Sequence, residues 1–180
     1  MTDLQTLAKR SEPDFMLEGG ERVMLNAWLD YHRGTLATKC AGLTDQQLRE
    51  RSVPPSSMSL IGLVRHMTDV ERNWVRRVGM GEGDDTAGPV HFVRGTNDDG
   101  EFDDASAATA EADLATWKKE QIVVDEVIAG FDDLDATRHR DGWEFDMSIR
   151  WILVHMIEEY ARHNGHADFL REQIDGATGE

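Results

Sequence analysis

The chain has 180 residues, of which 39% are hydrophobic and 30% charged, as in an ordinary soluble globular domain. We interpret residues 1–180 as one domain with its core at about residues 20–175. The net charge of −16 argues against nucleic acid as a partner, because phosphate contacts need clustered lysine and arginine and acidic residues outnumber basic ones 35 to 19. We interpret the short basic run from Arg72 to Arg77 as the solvated face of a helix.

The sequence also predicts a cytoplasmic protein without membrane contact. No apolar run approaches the ~20 residues that span a bilayer. The first residues lack the cationic and apolar pattern of a signal peptide. Cys40, the single cysteine, fits a reducing compartment and is interpreted as structural rather than nucleophilic.

Two helical patterns dominate the first half of the chain. The first runs from about Gly20 to Cys40, and Thr44 is placed as the N-cap of a short helix over Asp45–Arg51. The second is predicted from Ser59 to Arg77, with Gly79 ending it. Its inward stripe contains a histidine among apolar residues, namely Leu60, Leu63, His66, Met67, Val70, Trp74 and Val78.

The second half begins with a long connection, over about residues 80–104, that is rich in glycine and aspartate. A third helix is predicted from about Ser106 to Gly130, a polar stretch over residues 132–146 and a last helix from about Ser148 to Ile174. No convincing strands are found, which predicts an all-α four-helix bundle. A connection of this length can join parallel helices, so the expected order is up-down-down-up.

Tryptophans lie near the helical stripes, and we interpret Trp28, Trp74, Trp117 and Trp151 as core or pocket wall. Arg138, His139 and Arg140 stand beside Trp143 in the polar stretch. They are candidate contacts for an anionic ligand near the end of the bundle.

The last helix carries the chemistry. At ~100° per residue, His155, Glu159, His163 and His166 fall on one side, together with apolar neighbours. An apolar stripe normally faces the core, and buried unpaired polar groups cost several kcal/mol. A metal ion would satisfy them, and imidazole with carboxylate suits zinc first, with nickel and iron as alternatives.

Glu159 and His163, spaced i and i+4, can hold one ion from adjacent turns. With His66 they would supply three protein ligands and leave one position open, the pattern of a catalytic site. If His155 or His166 completed a set of four, a structural site would be favoured instead.

These residues also carry a resemblance to a known superfamily. His66 within Leu-Val-Arg-His-Met, and the stretch Glu-Tyr-Ala-Arg-His-Asn-Gly-His that ends at His166, resemble the DinB-like and YfiT-like metal-binding four-helix bundles. The resemblance implies that His66, Glu159 and His163 are the metal ligands. A His-Glu-His set is the variant of the mycothiol-dependent maleylpyruvate isomerases in this superfamily.

Two features depart from the superfamily pattern. His166 stands where a glutamine is usual, and His155 adds an imidazole one turn before Glu159. Either histidine is a candidate for a group that holds a ligand or acts as a base. An alternative is that His155 binds the ion in place of Glu159.

The resemblance implies thiol-dependent chemistry. The leading hypothesis is a metal-dependent S-transferase or isomerase that uses a mycothiol-like low-molecular-weight thiol and acts on a small electrophile. The alternatives are a metal-dependent hydrolase with a metal-bound hydroxide nucleophile and a non-catalytic, metal-stabilised stress or binding module. A homodimer is a further expectation.

Overall fold

The computed structural model describes residues 18–105, 109–140 and 142–178. Within these ranges the chain is mostly helical, which confirms the predicted all-α class. A two-stranded antiparallel sheet that the sequence did not predict pairs Thr137 with Ser148 and Arg138 with Met147. No helix among the described residues is long and apolar enough to cross a membrane. In chain order the elements are α1 (Glu21–Cys40), α2 (Asp45–Leu48), α3 (Leu60–Glu71, which continues as a π-helix over Arg72–Met80), α4 (Asp84–Ala87), α5 (Gly100–Asp103), α6 (Ala110–Ala129), β1 (Thr137–Arg138), β2 (Met147–Ser148) and α7 (Ile149–Asp175).

Side-chain caps fix where several helices begin. Thr44 forms a capping box with Gln47 at the start of α2. Ser59 caps α3, and Ser148 caps α7, each by accepting a hydrogen bond from a backbone N–H of the first turn. The predicted starts at these serines are therefore confirmed to within one residue.

The predicted end of the second long helix was wrong. The helix that contains α3 passes through Gly79 and ends at Met80, because Gly81 supplies the left-handed conformation (φ 79°) that closes it. The third long helix begins at Ala110 with Thr109 as its N-cap. The predicted start at Ser106 lies outside the described residues.

The core lies where the apolar sides of α1, α3, α6 and α7 meet. Trp117 is completely buried and Trp74 is 7% exposed, as expected for core residues. Trp28 and Trp151 are not core residues, since 38% and 39% of their surfaces remain exposed.

A buried polar network crosses this core. The Nε and Nη2 atoms of Arg33 donate to the two carboxylate oxygens of Glu71 at 3.0 and 2.7 Å. The Tyr160 hydroxyl donates to Glu71 as well, and Trp117 Nε1 donates to that hydroxyl at 2.9 Å. Arg33 Nη1 also reaches Asp125 at 2.6 Å. The network thus joins α1, α3, α6 and α7.

The arginines of the run from Arg72 to Arg77 are not simply solvated, which corrects the sequence interpretation. Arg72 Nη1 and Arg76 Nη1 donate to the carboxylate of Glu120 at 2.6 and 2.9 Å. Glu120, on α6, is 4% exposed. These arginines therefore join the π-helical segment to α6.

The long connection after α3 is anchored to that helix. Asp69 accepts hydrogen bonds from the backbone N–H groups of Val90 and His91 at 2.6 and 2.9 Å. A Cβ atom at Gly62 would come within 2.9 Å of the Phe102 ring, so glycine is what lets α5 approach α3 this closely. The connection was predicted to be a loop, but it contains the two short helices α4 and α5. The anchoring brings Glu101 of α5 beside His66.

Candidate metal centre

The candidate site lies where the middle of α3 faces the second half of α7. His66 Nε2 is 3.9 Å and His163 Nε2 is 3.4 Å from the same oxygen, Glu159 Oε2. The three ligand atoms lie within 4.8 Å of one another. Fully buried Leu63 on α3 and Met156 on α7 turn these helix faces inward. The structure thus brings together the three residues that the sequence analysis grouped, and metal binding by them stays a prediction.

The two carboxylate oxygens of Glu159 have different surroundings. The side chain is 12% exposed, and Arg162 Nη2 lies 2.6 Å from Oε1. The other oxygen, Oε2, is buried and has no hydrogen-bond partner among the described residues. Burial opposes ionisation, but His163, His66 and Arg162 together hold the pKa of Glu159 well below its usual range. Glu159 therefore presents an ionised oxygen to two imidazoles, with His163 Nε2 at 3.4 Å and His66 Nε2 at 3.9 Å.

Each of these imidazoles is engaged on its other nitrogen. His66 Nδ1 lies 3.2 Å from Glu101 Oε1, and His163 Nδ1 lies 3.3 Å from His166 Nδ1. Nδ1 is thus engaged in both rings, and Nε2 of each ring faces Glu159. His166 is thus placed behind His163 and outside the group of three.

Glu101 is a residue that the sequence analysis missed. It is 7% exposed and belongs to the four-residue helix α5 in the long connection. In the sequence it is one of several acidic residues in an aperiodic stretch, so no spacing distinguished it. Only the anchoring of that stretch to α3 identifies it as the partner of His66.

His155 borders the site instead of joining the group of three. Its Nε2 lies 3.6 Å from Glu159 Oε1, and its Nδ1 lies 3.3 Å from Glu158 Oε2. The ring stacks on Trp151 at 4.9 Å and meets the edge of Trp74 at 4.6 Å. His155, Glu158 and Glu159 form a second group that has the spacing to hold an ion, so His155 stays a candidate metal ligand.

The charges around His66 favour a cation. Burial opposes protonation, but Glu101 and Glu159 raise the pKa of His66 to about 9. At His163, burial is the main cause of a lowered pKa. Two imidazole nitrogens and the Glu159 carboxylate oxygen converge here, and the Glu101 carboxylate lies on the other side of His66. This donor set suits a divalent transition metal.

His32 lies away from this site. Its ring stacks on Trp28 at 5.7 Å, and its backbone oxygen accepts a hydrogen bond from Asn164 at 3.0 Å. Asn164 faces away from the side of α7 that carries Glu159 and His163. His32 therefore helps to pack α1 against α7.

We expect Cys40 to be chemically silent in the folded protein. The side chain is completely buried, and burial raises the pKa of its thiol to about 12. Because the thiolate is the reactive form, alkylation near pH 8 should be at least about a hundredfold slower than that of an exposed cysteine. Mass spectrometry after iodoacetamide treatment measures this, and the urea-unfolded chain, which should label fully, is the control. Rapid labelling of the folded protein would contradict the expectation.

A family model described as mycothiol-S-transferase matches residues 24–176, a range that contains every residue of the candidate site. No curated protein and no solved structure matches the chain. The match covers well over half of the 180 residues. It agrees with the DinB-like resemblance that His66 and the end of α7 carry. The chain therefore belongs to the mycothiol-S-transferase family, a DinB-like family of proteins.

Proposed function

We propose that this chain is a metal-dependent enzyme that transfers a low-molecular-weight thiol of the mycothiol class to a small electrophile. The observation that carries the metal site is the convergence of His163 Nε2 and His66 Nε2, at 3.4 and 3.9 Å, on the buried Oε2 of Glu159. Neither imidazole makes a well-aligned hydrogen bond to that oxygen, and one shared cation would satisfy all three buried donor atoms. Membership of the mycothiol-S-transferase family supports the thiol and the reaction class.

The donor atoms fit an ion of the zinc, nickel or iron type. Ligands at about 2.1 Å from a shared tetrahedral ion lie roughly 3.4 Å from each other. Glu159 Oε2 is 3.4 Å from His163 Nε2 and 3.9 Å from His66 Nε2, and the three atoms all lie within 4.8 Å of one another, which is close to the spacing that a shared ion needs. Three protein ligands would leave a position open, as in catalytic sites.

Neighbouring groups would hold these ligands in place. Metal-bound histidines commonly donate their second ring N–H to a carboxylate or another acceptor, which fixes the tautomer and the ring orientation. Glu101 is placed to do this for His66, and His166 for His163. Arg162 engages Oε1 of Glu159 and so leaves Oε2 for the ion.

A divalent ion in this site would bind a thiol as its thiolate at neutral pH. We assign the thiol proton to Nε2 of His155, which lies 3.6 Å from Glu159 Oε1. Trp74 and Trp151 contact the His155 ring and hold its orientation. In the transfer the sulfur electron pair forms a bond to the electrophilic carbon. The leaving group departs with its bonding pair, and the proton passes from His155 to it or to water.

The proposed scaffold for this chemistry is an up-down-down-up bundle of α1, α3, α6 and α7. Contacts at both ends support a parallel arrangement of α1 and α7, since Glu21 contacts Arg150 near their starts and Lys39 contacts Asp168 near their ends. Likewise Arg65 lies near Asp113 and Arg72 near Glu120, which supports parallel α3 and α6. The cytoplasmic location and the homodimer stay predictions.

The first experiment asks whether turnover needs both a thiol and an ion. Elemental analysis of the purified protein should find about one divalent transition metal per chain. Thioether formation from mycothiol and an activated chloronitrobenzene should stop after chelation and return when zinc, nickel or iron is restored. Cysteine at the same concentration should be a much poorer donor.

Two outcomes would overturn parts of this proposal. Turnover of the electrophile at an unchanged rate without thiol would identify a hydrolase. Thiol transfer by a protein that contains no transition metal, and whose rate no added ion changes, would remove the metal from the mechanism.

A further inference from the structure

An aromatic patch lies next to the candidate metal centre. We define it by Trp74 of α3, Trp143 and Phe145 of the segment between the strands, and Trp151 of α7. The Trp74 ring lies 5.6 Å from that of Trp143 and 5.4 Å from that of Trp151, and Phe145 lies 5.1 Å from Trp143. Phe145 and Trp151 keep 59% and 39% of their surfaces exposed. Phe145 and Trp151 therefore offer apolar ring surface to solvent, with the buried ring of Trp74 behind them.

Arg140 lies over this patch. Its guanidinium carbon is 4.6 Å from the centre of the Trp74 ring and 4.9 Å from that of Trp143. No carboxylate lies within ion-pair distance of Arg140 among the residues for which the structure gives positions. Within the described ranges the guanidinium is oriented by two rings and meets no acidic partner, which leaves its hydrogen-bond donors for an anion.

Two further arginines, Arg94 and Arg77, lie close enough to act on the charge of Arg140. Burial, followed by the charges of Arg94 and Arg77, lowers the pKa of Arg140. An arginine side chain is not deprotonated in proteins, so Arg140 stays charged. Other cations of the same segment are engaged elsewhere: Arg138 Nε donates to Gly79 O at 2.6 Å, and His139 lies 3.0 Å from Asp146. Arg140 is therefore the donor that we assign to a ligand.

The aromatic patch is continuous with the candidate metal centre. The Trp74 ring that carries Arg140 also touches the ring of His155 at 4.6 Å. His155 in turn lies 3.6 Å from Glu159 Oε1. A small flat molecule whose anionic end is at Arg140 would extend along these rings toward the ligands of the ion.

We propose that the aromatic patch and Arg140 bind the electrophilic substrate, and that this substrate is a small planar molecule that carries a carboxylate. Arg140 would donate two parallel hydrogen bonds to the carboxylate, a geometry that arginine favours. The exposed ring of Trp151 would cover the planar part and leave the reactive carbon at the metal side. This inference rests on the proposed thiol transfer, but its test is a binding measurement that needs no turnover.

The test compares a nitrobenzoate with its neutral nitrobenzamide as unreactive probes, without thiol. Quenching of tryptophan fluorescence, confirmed by titration calorimetry, gives the two dissociation constants. A hydrogen bond to a charged group contributes about 1.5–3 kcal/mol, which corresponds to roughly ten- to a hundredfold in affinity. Wild type should bind the carboxylate at least about tenfold more tightly than the amide.

Three variants test the assignment to Arg140. Arg140→Gln should abolish the preference for the carboxylate and leave amide binding unchanged. Arg140→Lys should keep a reduced preference, because the charge remains but the paired geometry is lost. Lys119→Gln is the matched control, since it removes one positive charge from an exposed position on α6 and should change neither affinity. Circular dichroism checks that each variant is folded.

Equal binding of the two probes by wild type would overturn the proposal, whatever the variants do. So would an Arg140→Gln protein that keeps the preference, or one whose KM rises for the thiol and not for a chloronitrobenzoate. Carboxylate-selective binding in a protein that transfers no thiol to any electrophile would support the anion site and contradict the proposed function. The two failures are therefore distinguishable.

Discussion

Replacement of Glu71 by glutamine is expected to lower the free energy of unfolding by about 3–5 kcal/mol, the cost of breaking a buried ion pair on one side. Glu71 is completely buried and Arg33 is 1% exposed. In Glu71→Gln the guanidinium loses its opposite charge, and the amide N–H₂ of glutamine would face another donor. Asp125 remains as a partner of Arg33, but its side chain is 54% exposed and its interaction is weakened by solvent.

Urea denaturation followed by circular dichroism measures the change. All proteins are stripped of metal first, because a bound ion would add its own stabilisation. Glu126→Gln on α6 is the matched control, since it makes the same substitution at an exposed position and should change stability by less than about 0.5 kcal/mol. A Glu71→Gln protein within 1 kcal/mol of wild type would contradict the expectation.

The double variant Arg33→Met with Glu71→Met shows how much of that loss comes from the unpaired charge. Apolar replacement of both partners of a buried pair is often close to neutral. We expect the double variant to lose less stability than the sum of the two single methionine variants. Some loss will remain, because the Tyr160 hydroxyl would no longer have Glu71 as its acceptor.

Periodicity predicted what depends on a single helix. Glu159 and His163 share a face because they are four residues apart on α7, and His66 was placed on the inward side of α3 by its apolar neighbours. The ends at Ser59 and Ser148 followed from capping chemistry, since the serine oxygen satisfies a backbone donor in the first turn. These local rules hold wherever the chain stays helical.

What the sequence could not predict depends on contacts between distant segments. Glu71 and Arg33 look like ordinary charged residues of amphipathic helices, and only the packing of α1 against α3 reveals that both are buried. Glu101 lies in an aperiodic connection, where no repeat relates its position to that of His66. Arg140 likewise meets Trp74 only because the segment between the strands folds over the end of α3.

Replacement of Glu159 by glutamine is expected to remove the metal. Loss of a group that merely supports a ligand typically costs ten- to a hundredfold in affinity, so loss of a direct, charged ligand should cost at least about a hundredfold. His163→Ala should have a similar effect for the same reason. Elemental analysis after dialysis and competition with a chelating dye measure the ion content and the affinity.

Glu158→Gln is the control on the same turn of α7. It makes the identical substitution in a side chain that is 52% exposed and belongs only to the second possible group, with His155 and Glu159. If the ion is held by His66, Glu159 and His163, both Glu158→Gln and His155→Ala should keep it. Loss of the ion from these two variants, with retention in His163→Ala, would instead place it in the second group. Because Glu159 belongs to both groups, the contrast between His163 and His155 decides which imidazole completes the site.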